Sequence, residues 1–273
     1  MRAELDGYDV WKLLIIYMNW IDRFIVPRKR QVRYAPSFWN DPRAIAHKEA
    51  VLRIAEKIES GADLTPHLSG QIHTHGYVPK RPPQKVKGPE WGDKDFALNA
   101  YDVHHLHLGK SSDKKGRVSH GRDLLYACFE RDNATFLLLG DHKSFDDGSL
   151  ARTAAAWRGR GTVHTPYSDE ERKELHRHGI TTIEFVDGRA YIGSGLASDG
   201  TDKARWIGHL RRTILGYDAH LDDPQWRSQA FKGHPLASDP DPDFAWLVNG
   251  CDLLLQEMKT EMVVALPHCE WRR

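Results

Sequence analysis

The stretch that decides the fold runs from Tyr101 to Asp147 and reads YDVHHLHLG, KSSDKKGRVSHG, RDLLYACFE, RDN, ATFLLLGDHKSF and DD. Its apolar, β-branched and aromatic residues cluster in short runs bounded by Gly, Asp and Asn. This pattern predicts strands over 101–108 and 122–142. The polar turn RDN, between two apolar runs, predicts that the second and third runs form a β-hairpin.

Two helices are predicted upstream of this stretch. Apolar residues recur at helical spacing over 9–25, and Pro27 ends that helix. Residues 41–60 begin with Asp41 as N-cap, followed by proline at the first helical position. From Gly61 to Gly92 the chain has five prolines and five glycines, a composition typical of an extended segment.

Downstream, the sequence predicts a short helix over 168–179 and a hairpin over 181–195, in which Asp187-Gly188 forms the turn. That hairpin is a candidate to extend the central sheet. A further helix is predicted from residue 202. Residues 244–267 fit either a terminal helix or two strands, because their periodicity does not distinguish the two.

These elements predict an α+β protein. It would have a central curved antiparallel sheet with helices packed on it, elaborated by an N-terminal helical section and a C-terminal hairpin-helix section. The predicted sections are a helical section at 1–62, an extended linker at 63–92, a core at 93–150 and a C-terminal α+β extension at 151–273.

Composition narrows the class of protein. The longest apolar run, LLIIYM, is too short to span a membrane, and the N-terminus lacks the pattern of a cleaved secretion signal. Three widely spaced cysteines without a CxxC motif predict neither a disulfide framework nor a thiolate zinc site. We therefore expect a cytoplasmic protein that has no membrane partner and no cofactor.

Positive charge concentrates near the N-terminus, where residues 1–90 have 15 Lys and Arg against 10 Asp and Glu. Two runs account for most of this excess, PRKRQVR at 27–33 and KRPPQKVK at 80–87. Such runs contact the phosphate backbone of nucleic acids by releasing counterions, or they are simply solvated faces.

The histidines of the opening stretch are the first candidates for chemistry. On a strand, His105 and His107 point to one face and His104 to the other. Two imidazoles on one face are either ligands of a divalent metal, with Asp141 or His142 as a further ligand, or an acid/base pair beside a scissile phosphate. A third alternative is that they are hydrogen-bonded histidines of a half-buried sheet.

The polar loop that follows is rich in cations, namely Lys110, Lys114, Lys115, Arg117, His120 and Arg122. Cations beside histidines suit RNA cleavage through the ribose 2′-OH without metal, because they stabilise the negative charge of the pentacovalent phosphate. The alternative is an exposed hairpin loop whose lysines maintain solubility.

The segment RDLLYACFERDNATFLLLGDHKSF, together with the strand before it, resembles the three central strands of RelE/HigB/ParE-type toxins. The resemblance covers about 45 residues. It implies a compact, strongly curved antiparallel sheet with helices on one face, action on mRNA in or near the ribosome, and an antitoxin partner. One branch of the family poisons gyrase and has no RNase activity.

The resemblance also implies residue roles. Arg122 and Tyr126 match the arginine and aromatic residue that commonly lie in the toxin cleft, and His142 with Lys143 matches the closing polar cluster. HHLH departs from the family pattern, in which Arg or Lys is more common on that strand. The chain is also longer than the usual toxin of near 100 residues.

The resulting hypothesis is a toxin-like endoribonuclease that needs no metal. Its expected catalytic residues are His105, His107, His142, Arg122 and Tyr126. Its expected substrate-binding residues are Lys110, Lys114, Lys115, Arg117, His104 and Lys143. The alternatives are a non-catalytic toxin or defence protein that binds a host target, and a histidine-metal-dependent phosphodiesterase.

Overall fold

The computed structural model describes residues 7–73, 96–110, 113, 116–119, 121–144, 147–158, 161–162, 184–186, 189–191, 201–250 and 252–266. The chain divides into two compact units. The first comprises the described parts of Met1–Tyr8 and Asn19–Thr201, and the second those of Asp9–Met18 and Asp202–Arg273.

The structure contains both helices and strands, as the α+β prediction requires. The helices are α1 (Val10–Ile21), α2 (Pro42–Ala46), α3 (Lys48–Ser60), α4 (Phe96–Tyr101), α5 (Ser149–Arg158), α6 (Thr201–Asp218) and α7 (Pro224–Ala230). The strands are β1 (Gln31–Tyr34), β2 (His104–His107), β3 (Leu124–Phe129), β4 (Asn133–Gly140), β5 (Gly161–Thr162), β6 (Glu184–Val186), β7 (Arg189–Tyr191), β8 (Phe244–Asn249), β9 (Asp252–Glu257) and β10 (Val263–Ala265).

The central sheet of the first unit has the strand order β1-β4-β3-β2. Strands β2, β3 and β4 are antiparallel neighbours, which confirms the predicted hairpin, whereas β1 runs parallel to β4. All of β3 and nearly all of β4 are buried. Burial on both faces explains why these two strands read as continuous apolar runs rather than as alternating ones.

Helix α3 and the β1 edge complete the core of this unit. The apolar stripe of α3 is buried, and it includes Val51, Ile54 and Ile58. At the β1 edge, the ring of Phe136 packs against Tyr34 and Phe38 at centroid distances of 5.5 and 6.0 Å. The N-terminal section therefore supplies a strand as well as helices.

The predicted helix at 41–60 is present but is divided at His47 into α2 and α3. Asp41 caps α2 as predicted, since its side chain accepts a hydrogen bond from the Arg43 backbone N–H. Gly61 ends α3 in the left-handed conformation, at φ +77°. A side chain there would be strained and would approach Lys29, so glycine is required.

Several other predictions are confirmed. Helix α1 lies within the predicted 9–25, α6 begins at the predicted place, and β6 and β7 form the predicted hairpin. That hairpin pairs with β5 in a separate three-stranded sheet and does not extend the central one. The helix expected at 168–179 lies outside the described residues.

The second unit resolves the ambiguous C-terminal stretch, which forms strands β8, β9 and β10 in one antiparallel sheet. Glu257, at the end of β9, is fully buried and accepts hydrogen bonds from Thr260 and from the Asp243 backbone N–H. The Thr260 side chain contributes most to lowering the pKa of this carboxylate, to about 2. The residue thus fixes the β9–β10 turn.

In the part of the chain that the structure describes, no helix could cross a membrane. None of the helices there combines the length and the apolar character that crossing a bilayer demands.

Truncation of Phe136 should strongly destabilise the first unit. Its ring is fully buried, so Phe136→Ala should lower the free energy of unfolding by about 3–5 kcal/mol through lost burial and a residual cavity. Urea unfolding followed by far-UV circular dichroism measures the change. The control is Ile45→Ala, whose side chain is 61% exposed and whose effect should stay within about 0.5 kcal/mol. Equal effects of the two variants would contradict this packing.

Candidate active site

The strand register brings the predicted histidines to one end of the central sheet. His105 pairs with Tyr126 and His107 with Leu124, and Leu124 in turn lies opposite Gly140, the last residue of β4. The chain then continues into Asp141 and His142. The residues that end β2 and follow β4 are therefore brought together where β3 begins.

Three imidazoles converge at this end of the sheet. The ring centroids of His105 and His142 are 6.0 Å apart, those of His105 and His107 are 6.3 Å apart, and those of His107 and His142 are 6.4 Å apart. We call these three residues the histidine cluster. His107 is buried, His105 is half-buried and His142 is exposed, so the cluster opens towards solvent on the His142 side.

The turn after β4 holds His142 in place. The Asp141 backbone N–H donates to the Ser144 hydroxyl at 3.0 Å, and the Asp141 carboxylate accepts from the Lys143 backbone N–H at 2.8 Å. This backbone hydrogen bond is the main cause that lowers the pKa of Asp141, and Arg122 adds to the effect. The ionised carboxylate therefore stabilises the turn.

Gly140 and Tyr126 secure the same turn from the sheet. A Cβ atom at Gly140 would overlap the Ser144 hydroxyl, so only glycine lets the turn fold back on the strand. The Tyr126 hydroxyl donates to the Asp141 carbonyl at 2.8 Å. The Tyr126 side chain is buried, which leaves no ring face for a nucleobase. Its place fits positioning of the turn rather than base stacking.

His104 lies apart from the cluster. It points to the other face of β2, is buried, and makes an edge contact with Phe129 at a centroid distance of 5.5 Å. The predicted substrate-binding role of His104 does not fit this position, because a buried ring on the opposite face has no access to a substrate held by His105 and His142.

A fourth histidine, His67, which sequence reasoning missed, contacts the backbone of His107. The His67 Nδ1 atom lies 2.8 Å from the His107 carbonyl oxygen, and its Nε2 atom lies 2.9 Å from the Lys57 ammonium. An ammonium only donates, so Nε2 accepts and Nδ1 carries the proton that is donated to His107. Burial is the main cause that lowers the pKa of His67, and the charges of Lys57 and Arg53 lower it further.

The segment that carries His67 was predicted as part of an extended linker. It forms short 3-10 turns at Thr65–His67 and Gly70–His73, and the Pro66 carbonyl accepts from the Val118 backbone N–H. Gly70 lies under the Arg117 guanidinium, where a Cβ atom would overlap it. The segment therefore contacts both the end of β2 and the cationic loop.

Three of the predicted loop cations lie beside carboxylates. Lys110 is 3.1 Å from Glu49, Arg117 is 2.9 Å from Asp113, and Arg122 is 3.5 Å from Asp141. The Arg122 contact is the longest of the three, and its side chain is 82% exposed. Lys143 is exposed, next to His142. The predicted candidates Lys114, Lys115 and His120 lie outside the described residues.

Helix α2 borders the same end of the sheet, which the sequence did not indicate. The His47 Nε2 atom lies 2.8 Å from the Asp123 carboxylate, directly before β3. Hydrogen bonding to Asp41 is the main cause that raises the pKa of Arg43, and the charges of Asp123 and Asp141 contribute. His47 and Asp123 are far apart in the sequence, so no local motif marks the pair.

Metal coordination receives no support from the arrangement of the described side chains. Among them, no group of three or more His, Cys, Asp and Glu residues is placed to hold a metal ion. The Asp147 carboxylate accepts from the Ser149 backbone N–H at 2.8 Å, at the start of α5.

Comparisons of the chain with protein-family models, with curated proteins and with solved structures found no match. The resemblance to RelE/HigB/ParE-type toxins therefore stays a prediction that rests on the residues quoted for it.

Replacing Gly140 should displace His142. In Gly140→Ala the added methyl group meets Ser144, so the turn has to move away from the strand. We expect the imidazole signals of His105 and His142 to shift in a histidine-selective NMR spectrum, while the far-UV circular dichroism spectrum is retained. The control is Gly216→Ala, on α6 of the second unit, where an added Cβ atom meets no other atom within 4 Å. Unchanged signals in Gly140→Ala would contradict the role given to this glycine.

His67 should make the stability of the first unit depend on pH. Its pKa is lowered by folding, so the unfolded chain binds a proton more readily than the folded one. The free energy of unfolding should thus be highest above the unfolded pKa of about 6.5 and fall as the pH drops below it. His67→Asn keeps a donor near Nδ1 but does not titrate. Its unfolding free energy should fall less than that of the wild type between pH 7.5 and 5.5, measured in urea. An equal decrease of the unfolding free energy in the two proteins would contradict this role of His67.

Proposed function

We propose that this protein is a toxin-like endoribonuclease that cleaves RNA by general acid/base catalysis without a metal ion. The observation that carries the proposal is the histidine cluster, in which three imidazoles from two strand ends lie with their ring centroids 6.0–6.4 Å apart. Imidazole is the side chain best suited to exchange protons near neutral pH.

His105 and His142 are the acid/base pair in this proposal, because they are the two cluster members that reach solvent. One neutral imidazole removes the proton of the ribose 2′-OH. The 2′-oxygen forms a bond to phosphorus, and the bond from phosphorus to the 5′-oxygen breaks. The other imidazole, initially protonated, gives its proton to the leaving 5′-oxygen. The products are a 2′,3′-cyclic phosphate and a 5′-hydroxyl end.

His107 and Tyr126 act on the pair rather than on the RNA. His107 is 2% exposed and its ring lies within 6.4 Å of both partners, so it fixes their orientation. The Tyr126 hydroxyl holds the turn that carries His142. Both residues therefore position the acid and the base.

Arg122 supplies the charge that stabilises the pentacovalent phosphate. Its guanidinium is highly exposed and only loosely held by Asp141, at 3.5 Å, so the side chain can turn to a substrate phosphate. Lys110, Arg117 and Lys143 provide weaker, longer-range attraction. Following the resemblance, we assign the protein to a toxin-antitoxin or anti-phage defence setting in the cytoplasm, with mRNA as substrate, an antitoxin as partner and the ribosome as the place of action.

A second candidate function is binding of a host target without catalysis. It is favoured by the charge of the site, because residues 101–150 contain seven Lys and Arg against eight Asp and Glu. Lys110, Arg117 and Arg122 also each lie beside a carboxylate. Such a neutral surface attracts RNA weakly and suits a protein partner equally well.

The proposal predicts cleavage that depends on the pair and not on metal. Purified protein should cut RNA in the presence of EDTA, leaving 2′,3′-cyclic phosphate ends. His105→Ala and His142→Ala should each lower the rate about 10²–10⁴-fold, because each removes one proton transfer. Mapping of RNA ends after incubation measures both effects. His220→Ala, an exposed histidine of the second unit, is the matched control and should cut at the wild-type rate.

Two outcomes would overturn the proposal. Cleavage that appears only on addition of a divalent metal would replace it with a histidine-metal phosphodiesterase. Growth arrest on expression that survives alanine replacement of His104, His105, His107 and His142 together would favour the non-catalytic candidate.

A further inference from the structure

The first unit has an open pocket on the side of α2 and α3. Its volume is about 500 Å³, and it is lined by Tyr34, Trp39, Ile45, Lys48 and Leu52. This volume falls in the range of sites that bind small ligands. None of the five residues belongs to the histidine cluster, so the pocket is a separate site.

The pocket combines a rigid aromatic floor with exposed apolar walls. Tyr34 and Trp39 pack on the hydrophobic core, with their ring centroids 5.2 Å apart. Ile45 is 61% exposed and Leu52 is 40% exposed, although both are large apolar side chains. Neighbouring exposed apolar residues around a concave surface are typical of a binding site.

Helix α2 lies between this pocket and the end of the sheet that carries the histidine cluster. Ile45 lines the pocket. On the same five-residue helix, Arg43 is close enough to Asp123 and Asp141 for their charges to raise its pKa. An α-helix is about 10–12 Å wide, so the pocket and the cluster are separated by about one helix.

We infer that the pocket binds a nucleobase of the same single-stranded RNA whose phosphate lies in the histidine cluster. The inference rests on the proposed function for its choice of RNA. It adds a second point of contact, across α2, that holds the substrate by a base while the cluster acts on a phosphate further along the strand.

The chemistry of the pocket fits a base linked to a phosphate. The ring faces of Tyr34 and Trp39 offer stacking, which every base accepts, so binding should depend little on sequence. Lys48 places an ammonium at the rim for the backbone phosphate, and Arg33 and Lys29 are exposed on and before the edge strand that carries Tyr34.

The Tyr34 hydroxyl stays protonated, because burial raises its pKa and Glu59 raises it further. A protonated phenol donates a hydrogen bond to a base acceptor. The negative charge of Glu59 opposes a phosphate at that end of the pocket, so the phosphate belongs on the Lys48 side. An acidic peptide with an apolar side chain is the competing occupant.

The test is binding of a single-stranded 12-nucleotide RNA of mixed sequence with 2′-O-methyl riboses, which cannot be cleaved through the 2′-OH. Fluorescence anisotropy of the labelled RNA measures the affinity of the full-length protein. Trp39→Leu should weaken binding about 5- to 100-fold through lost stacking. Lys48→Gln should weaken it several-fold and reduce its salt dependence by about one phosphate contact. Lys232→Gln, an exposed lysine of the second unit, should bind as the wild type does.

Ile45→Glu is a second variant that tests the pocket even if Trp39→Leu does not fold. It changes a side chain that is largely exposed, so the fold is retained, and it places a carboxylate in the wall of the pocket. It should also weaken RNA binding at least 5-fold. Wild-type affinity for RNA in both Trp39→Leu and Ile45→Glu would overturn the inference. So would an acidic Leu-rich peptide that binds the wild type but neither variant, and that displaces no RNA from the wild type.

A dinucleotide substrate separates this inference from the proposed function. It is too short to occupy both sites, so Trp39→Leu should cleave it at the wild-type rate while losing affinity for the 12-nucleotide RNA. Absence of any RNA cleavage, with binding that still depends on Trp39 and Ile45, would remove the proposed function and leave the base pocket. If Trp39→Leu and Ile45→Glu lost dinucleotide cleavage equally, the claim that the pocket is a site separate from the histidine cluster would be wrong.

Discussion

Burial of the β3–β4 hairpin on both of its faces is the constraint on which the first unit depends. Almost every side chain of the two strands is removed from water, so other elements have to cover both faces and both edges. β1 and β2 take the edges, and the apolar stripe of α3 joins the same core. Polar chemistry is then confined to the ends of the strands, where the backbone leaves the core. The histidine cluster lies at such an end.

The sequence predicts this hairpin well because the relevant signals are local. Apolar runs, the RDN turn and the alternation of side chains along a strand together place His105 and His107 on one face. The position of His142 follows once β4 ends at Gly140. The sequence also predicts the cap at Asp41, whose residue types and spacing are specific to a helix start.

The remaining features depend on contacts between residues distant in the sequence. β1 is only four residues long and lies within a basic run, so the alternation of Val32 and Tyr34 with polar residues is too short to mark a strand. His67 reaches His107, and His47 reaches Asp123, across 40 and 76 residues. His104 is a different case. Strand alternation places it on the opposite face from His105, but it does not reveal that this face is buried. Periodicity describes which side chains share a face, and only packing decides which face meets solvent.

The parallel pairing of β1 with β4 has a consequence for how the chain folds. Gln31 lies opposite Asn133, about a hundred residues later in the sequence. Contacts between residues so far apart in the sequence form slowly, because a long loop has to be ordered first. During synthesis, at roughly 5–20 residues per second, β1 has no partner until β4 has left the ribosome. Charged residues on an unpaired strand oppose its pairing with another chain. Because basic residues surround β1, we expect the unpaired β1 strands of different nascent chains to repel one another.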